Sequence, residues 1–307
     1  MDYYMQFDRV FGSMNPYPYN RSMVHRIDAS RRSLEGCLFI DRVLQALNLS
    51  QVTSIYPPKN DDSLRQLHKQ ICSNIDVALH HKLSVIYYLL LDMDGEGHVG
   101  DTRADHFAVT SGLPSRYQIF MKGLWLMDAK KFELALEHLT HPSLISDFAD
   151  DIITVLVRHA KDDDYTLPLA YYHTVQPNIN DSSALQLLFE AIARSNVLEA
   201  FEFSRSHAEY MRRPLFQQLV SVVLKSGPDE ETAKRAFELT SLPFDADEET
   251  WFREYLESGQ GKGLAAAKDT LVMRSIATGQ AITSGENGTW AVLLESFKAG
   301  NGGRAQA

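Results

Sequence analysis

Residues 113–148 read LPSRYQIFMKGLWLMDAKKFELALEHLTHPSLISDF. An apolar helical stretch carrying Gly123-Leu124-Trp125-Leu126 is followed by an acidic turn at Asp128, a second apolar stretch and then His141-Pro142-Ser143-Leu144. A helix pair of this kind cannot bury its apolar faces alone, so it implies neighbouring pairs stacked against it. The expectation is a helical scaffold rather than a catalytic pocket.

Helical periodicity extends in both directions. From about Arg32, Leu34, Leu38, Val43, Leu44 and Leu47 predict a first helix that ends before Pro57-Pro58. Leu64, Leu67, Ile71, Ile75, Leu79, Leu83, Ile86 and Leu90 then recur at three- and four-residue steps, which predicts one long helix after a cap at Asp61 or Asp62. Beyond a Gly-rich loop at 94–100, short helical segments alternate with Pro-marked turns as far as Thr278. Leu-Pro recurs at 113, 167 and 242 without a strict period. The expected fold is therefore all-α, an irregular α-solenoid of stacked antiparallel helices.

The predicted organisation has three parts. Residues 1–31, with Tyr3, Tyr4, Phe7, Phe11, Tyr17 and Tyr19 scattered without a helical period, read as an extended aromatic arm. Residues 32–280 form the helical domain, and 281–307 a flexible Gly-rich tail. The tail holds Trp290, Leu293, Leu294 and Phe297 at the 3/4/7 spacing of a short apolar helix. These four residues are the leading candidates for partner contact, with Tyr3, Tyr4, Phe7 and Phe11 as a second set. The alternative reading of the tail is a last helix docked on its own body.

Composition narrows the function. With 307 residues, 44% of them hydrophobic, the chain can bury a large core. A net charge of −10 argues against broad binding to a phosphate backbone. Residues 1–32 nevertheless hold five arginines against three aspartates, a local +2 that leaves −12 for the rest. Cys37 and Cys72 are too few and too isolated for a disulfide framework or a zinc ribbon, and are expected to be reduced, buried thiols. Val85–Leu91 is the longest strong apolar run, far short of a membrane span, and no signal-peptide core opens the chain.

Motifs that point to chemistry fail on spacing. Asp92, Asp94, Glu96 and Gly97 imitate an EF-hand loop, but its twelfth position falls on Arg103 instead of a bidentate Glu. His80-His81 and His138-x-x-His141 lie outside any HExxH pattern. The Gly259–Gly263 stretch lacks the first Gly and the Ser/Thr of a phosphate loop, since those positions hold Leu256 and Gly263. No G-x-S-x-G elbow occurs. No enzyme activity, cofactor or metal is expected. Trp125, Phe132, Phe201, Phe203, Phe216, Trp251 and Phe252 stand at helical spacing among leucines and read as core.

Taken in order, Pro57-Pro58-Lys59, Tyr87-Tyr88-Leu89-Leu90-Leu91-Asp92, Leu113-Pro114, Gly123-Leu124-Trp125 and Leu139-Thr140-x-Pro142-Ser143-Leu144 resemble the ELYS-like domain family of nuclear pore assembly proteins. The resemblance continues through Leu169–Tyr172, Ala200-Phe201, Leu242-Pro243-Phe244 with Glu248-Glu249, Trp251-Phe252 and Ile276–Gly279, spanning roughly 33–280. It implies a structural nucleoporin on the Y-shaped subcomplex of the nuclear pore, at the nuclear envelope. Pore assembly and protein and mRNA transport would depend on it. Animal members carry a β-propeller and AT-hooks. Here Gly303-Arg304 is followed by Ala305 where an AT-hook needs Pro, so the chain looks like the short fungal form, with no direct DNA binding expected. The implied neighbour is a β-propeller nucleoporin on a short arm of the Y. The rival reading is a generic TPR-like peptide-binding adaptor, because Phe132, Ala135 and Leu139 imitate part of a repeat.

Overall fold

The computed structural model describes residues 2–12, 15–95, 102–225 and 230–279. Among the described residues there are seventeen α-helices and no strand, so the protein is all-α and solenoid-like in its succession of short helices. It divides into two compact units, residues 1–191 and 192–307.

The first unit holds α1 (Phe7–Phe11), α2 (Arg21–Ser33), α3 (Phe39–Ala46), α4 (Ser50–Thr53), α5 (Asp61–Ser73), α6 (Leu79–Asp94) and α7 (Arg103–Ser111). It continues with α8 (Ser115–Asp128), α9 (Phe132–Leu139), α10 (Ala149–Arg158) and α11 (Thr166–Val175); the division falls inside α12 (Ser182–Ser195). The quoted stretch becomes the α8–α9 hairpin. Gly112, at φ +68, ends α7 in a left-handed turn, and Pro114 starts α8. A Cβ on Gly123 would lie 2.7 Å from the Leu139 side chain, so glycine there is what lets α8 and α9 touch. Ala135 and Leu139 are buried against that contact.

The long helix predicted through 64–90 is two helices. Asn74 breaks it: its side chain accepts a hydrogen bond from the Asp76 amide at 2.9 Å, an Asx turn that competes with helical bonding. Ile75, which extends the apolar stripe on paper, is 92% exposed. Helix α6 is buried on nearly all sides from Lys82 to Asp92, as the core element of its unit. The first helix also differs from the reading that began near Arg32. Asn20 caps α2 by accepting from the Met23 amide at 2.9 Å, and Glu35 and Gly36, both at positive φ, separate α2 from α3.

Residues 2–12 and 15–33 are accordingly mostly helical and packed rather than an extended arm. Phe11 and Tyr19 are buried, while Met23 and Ile27 turn inward from α2. Aromatic side chains without a helical period found partners across the fold, a contact that no local pattern reports.

The second unit holds α13 (Val197–Arg205), α14 (Glu209–Lys225), α15 (Glu230–Ser241), α16 (Ala246–Glu257) and α17 (Ala267–Ala277). Its core is aromatic: Phe201, Phe216 and Phe252 are buried, and the Phe244 ring lies 5.1 to 5.7 Å from all three. Edge-on and tilted aromatic contacts at this range add to the area they bury. Phe203 and Trp251 are half-buried, as are Trp125 and Phe132 in the first unit.

Candidate interaction surfaces

Two carboxylates at the C-terminal ends of α6 and α8 organise the first unit. Asp92 Oδ2 accepts from the Tyr56 hydroxyl at 2.7 Å and the Tyr19 hydroxyl at 3.0 Å, while Trp125 Nε1 donates to its Oδ1 at 2.8 Å. Asp128 accepts from the Phe39 amide at 2.6 Å, the Ile40 amide at 3.1 Å and the Tyr88 hydroxyl at 2.7 Å. Asp128 thus caps the N-terminus of α3 from a distance of nearly ninety residues, where a negative charge meets the helix dipole. Asp92 ties the N-terminal segment and the α4–α5 connection to the core. Burial pushes the Asp92 carboxyl up to about 6 and that of Asp128 to about 7, with the hydrogen bonds opposing the rise.

A cavity of about 270 Å³ beside these groups is lined by Ser30, Tyr56, Trp125 and both carboxylates, with Arg26 and Lys130 also on its wall. A larger groove of about 780 Å³ runs past Arg31, Asp41, Tyr56 and Asn60. Several of its polar groups bind one another. Arg31 donates to Asp41 at 2.9 and 3.0 Å and to the Tyr56 carbonyl, and Asn60 and Ser63 form a reciprocal cap. In both places the hydrogen bonds tie separate helices together and so hold the fold.

The chemistry-like motifs have structural roles. Asp92 is the buried hub. Asp94 accepts from the Ala104 amide at 2.9 Å at the start of α7, and residues 96–101 lie outside the described residues. Gly261 packs against the Tyr255 ring, where a Cβ would come within 2.5 Å, so the Gly-rich stretch is a tight turn against α16. His80 and His81 stack near Tyr117, at 4.8 Å and 6.0 Å. His141 Nδ1 meets Ser143 Oγ at 2.8 Å. Among the described residues, no group of three or more His, Cys, Asp or Glu side chains converges as a metal site, and no helix is long and apolar enough to cross a membrane. Cys37 and Cys72 are free thiols, half-buried rather than buried. Burial raises the Cys72 thiol to about 11, and its Sγ lies 3.4 Å from His68 Nε2.

The second candidate set is brought together on one part of the first unit. Tyr3 stacks loosely on Phe107 at 6.1 Å; the Tyr4 carbonyl meets His68 Nε2 at 2.8 Å; Phe7 packs on Phe11 at 4.9 Å under the Arg65 guanidinium. Phe11, only 1% exposed, is a core residue. Tyr3, Tyr4 and Phe7 keep a half-exposed edge. Trp290, Leu293, Leu294 and Phe297 lie outside the described residues.

Other apolar side chains, none of them among the candidate contact residues, face solvent. Ile75, Val109 and Ile145 do so in the first unit, and Tyr210, Phe237 and Ile276 in the second. Single exposed residues of this kind are unremarkable in isolation, but they are the raw material of protein contacts in a chain whose polar networks close on themselves. For Val109, Tyr210, Phe237 and Ile276, which lie on helices, the sequence gives no warning, because an apolar stripe does not tell a core face from an outer one.

A family model described as "ELYS: Nuclear pore complex assembly" matches residues 37–259, from just before α3 to just past α16. The uncharacterized protein ely5 of Schizosaccharomyces pombe is 25% identical over 249 residues, covering 79% of this chain and 78% of that protein. Protein ELYS of Homo sapiens is 21% identical over 256 residues, which cover 80% of this chain and 11% of the human protein. The matched region takes in the α6, α8 and α16 residues whose contacts hold each unit together, and on that match this chain belongs to the ELYS family of nuclear pore complex assembly proteins.

Proposed function

We propose that this chain is a structural nucleoporin that docks on the Y-shaped subcomplex of the nuclear pore at the nuclear envelope and supports pore assembly and nucleocytoplasmic transport. The observation that carries this reading is the family match across 37–259, laid over helical units whose buried polar groups are spent on holding the fold. Such a protein acts by binding. Its affinity comes from a few desolvated apolar and aromatic anchors, and its neighbour is a β-propeller nucleoporin on a short arm of the Y. The domain is residues 32–280, and the tail 281–307 supplies anchors at Trp290, Leu293, Leu294 and Phe297. The half-exposed edge of Tyr3, Tyr4 and Phe7 is a second contact.

Crosslinking mass spectrometry on isolated pores tests the neighbour: Lys122, Lys130, Lys225, Lys262 and Lys298 should link to Y-subcomplex members, and their absence from such links would overturn the reading. Deleting 281–307 and measuring binding to purified Y-subcomplex arms tests the tail. Undiminished binding would remove it from the interface.

A further inference from the structure

Most polar groups around the cavity between α2 and α8 are bound to one another, and three are not. Ser30, on the inner side of α2, is only 8% exposed and lines the cavity, yet its hydroxyl makes no hydrogen bond among the described residues. A hydroxyl with that little exposure normally has a partner. It is not sealed from solvent either, so it opens on the cavity. Arg26 and Lys130 stand on the same wall, both exposed, and neither forms an ion pair or a side-chain hydrogen bond among the described residues. The charge of Arg26 reaches Asp92 through space without pairing with it, which places the guanidinium on the cavity side. Lys130 occupies the α8–α9 turn at φ 59, a conformation that glycine or asparagine takes more easily, so the turn itself gives no reason for a lysine.

The three groups agree in chemistry. A hydroxyl, a guanidinium and an ammonium all donate hydrogen bonds, and the last two carry positive charge, so their complement is an acceptor with negative charge. The carboxylates behind them decide how much charge. Every oxygen of Asp92 and Asp128 already has its neutral donor, and the charge of the pair opposes a dianion such as phosphate more than a single carboxylate. At about 270 Å³ the cavity receives a side chain and not a helix, which is ~10 Å across. The helix beside it is basic on a molecule of net charge −10: α2 also exposes Arg21 and Arg32, and its only acid, Asp28, is tied to Arg31 at 3.3 Å. A field of that sign draws an acidic segment toward the cavity.

We infer that this cavity is the receptor for one carboxylate side chain, a glutamate or aspartate in an acidic segment of a partner protein, held by Arg26, Lys130 and the Ser30 hydroxyl. The inference gives one contact of the docking role proposed above its chemistry, and rests on that role only for which partner supplies the carboxylate. The bonds that hold the fold stay in place on binding, because none of the three groups takes part in them.

Trp125 reports on the site, since it lines the cavity while Trp251 belongs to the second unit. With 5-fluorotryptophan in the full chain, fluorine NMR follows both. Glutamate capped at its main chain as the N-acetyl N-methylamide should shift the Trp125 signal saturably, with a Kd on the order of millimolar, and leave Trp251 unmoved. Capped glutamine, its neutral isostere, should shift neither, and inorganic phosphate should bind several-fold more weakly. Ser30→Ala and Lys130→Gly should each weaken the glutamate titration several-fold with thermal unfolding unchanged, because the resting fold uses neither group and glycine suits φ 59. Arg26→Gln should weaken it as well. Ser30→Ala changes no charge, so its effect separates a held carboxylate from a merely basic surface. A glutamine response equal to that of glutamate, tighter binding of phosphate, no shift up to about 50 mM, or full binding in Ser30→Ala would each overturn the inference. For the partner, Ser30→Ala/Lys130→Gly should weaken binding to purified Y-subcomplex arms about tenfold. Unchanged arm binding beside an intact glutamate titration sinks the partner's use of the cavity and leaves the docking role standing; missing crosslinks to Y-subcomplex members sink that role and leave the carboxylate site.

Discussion

In the first unit Asp92 and Asp128 are enclosed by neutral donors, namely tyrosine hydroxyls, an indole N–H and two backbone amides. In the second, Glu248 is equally enclosed but holds two guanidiniums. Arg205 donates to it at 2.7 and 2.9 Å and Arg212 also pairs with it, while the Asp245 amide donates to it at 2.9 Å in the capping box of α16. Burial works to raise the carboxyl pKa in both units. For Glu248 the arginine bonds outweigh it and the pKa falls below the ordinary range. For the two aspartates nothing with a full positive charge is that near, and burial wins. Hydrogen bonds from neutral groups satisfy lone pairs but do not replace the hydration of a charge. The first unit is therefore tuned by pH near neutrality, and the second by removing a charged partner.

The largest effect should come from Glu248→Ala, which takes away the carboxylate that Arg205 and Arg212 share, leaving them the Pro243 carbonyl and Asp245, and opens the α16 cap. A loss of about 3 kcal/mol is expected, because a fully buried ion-pair partner and a capping-box acceptor are removed together. Amide protection across α13–α16 reads it, and a loss under 1 kcal/mol would break the contrast. Next, Asp92→Ala leaves two hydroxyls and one indole N–H without their acceptor and should cost roughly 2 kcal/mol in thermal unfolding. Asp92→Asn, which keeps an acceptor, should cost clearly less at neutral pH.

The pH dependence sharpens the same comparison. Folded pKa values near 6 and 7 lie above the roughly 3.9 of an unfolded aspartate, so the folded state binds more protons between those limits. The stability these groups contribute is complete below about pH 3.9 and is lost as pH rises through 6 to 7. Wild type should gain stability over the Asp92→Asn/Asp128→Asn variant on going from pH 7.5 to 5.5. Comparing the two proteins cancels His68, which burial lowers and which acts in the opposite direction. A constant difference across that range would refute the neutral-donor account. The smallest effect belongs to the exposed Arg158–Glu35 pair, where Arg158→Ala should change stability by under about 0.5 kcal/mol.

The α8–α9 hairpin was legible because its apolar spacing, its Gly123 and its flanking Pro114 and Pro142 all act within one stretch of chain. The break at Asn74 had a visible signal in an Asx residue inside an apolar period, and Asn20 was a readable N-cap. The Asp92–Asp128 hub was not legible. Each aspartate merely ends an apolar run, and its donors come from Tyr19, Phe39, Tyr56 and Trp125, 33 to 89 residues away. Nor does any local pattern tell that Phe237 and Ile276 face solvent.

Local physics thus settles the all-α class and most of the helices, because helical period, caps and breakers are written in neighbouring residues, while the family is read from the order of packing and turn residues, which resembles that of its members. The tertiary structure alone decides which carboxylates lose their water, that the N-terminal aromatics are folded in, and which apolar faces remain for partners. Burial is a property of segments distant along the chain meeting in space, and no residue carries it by itself.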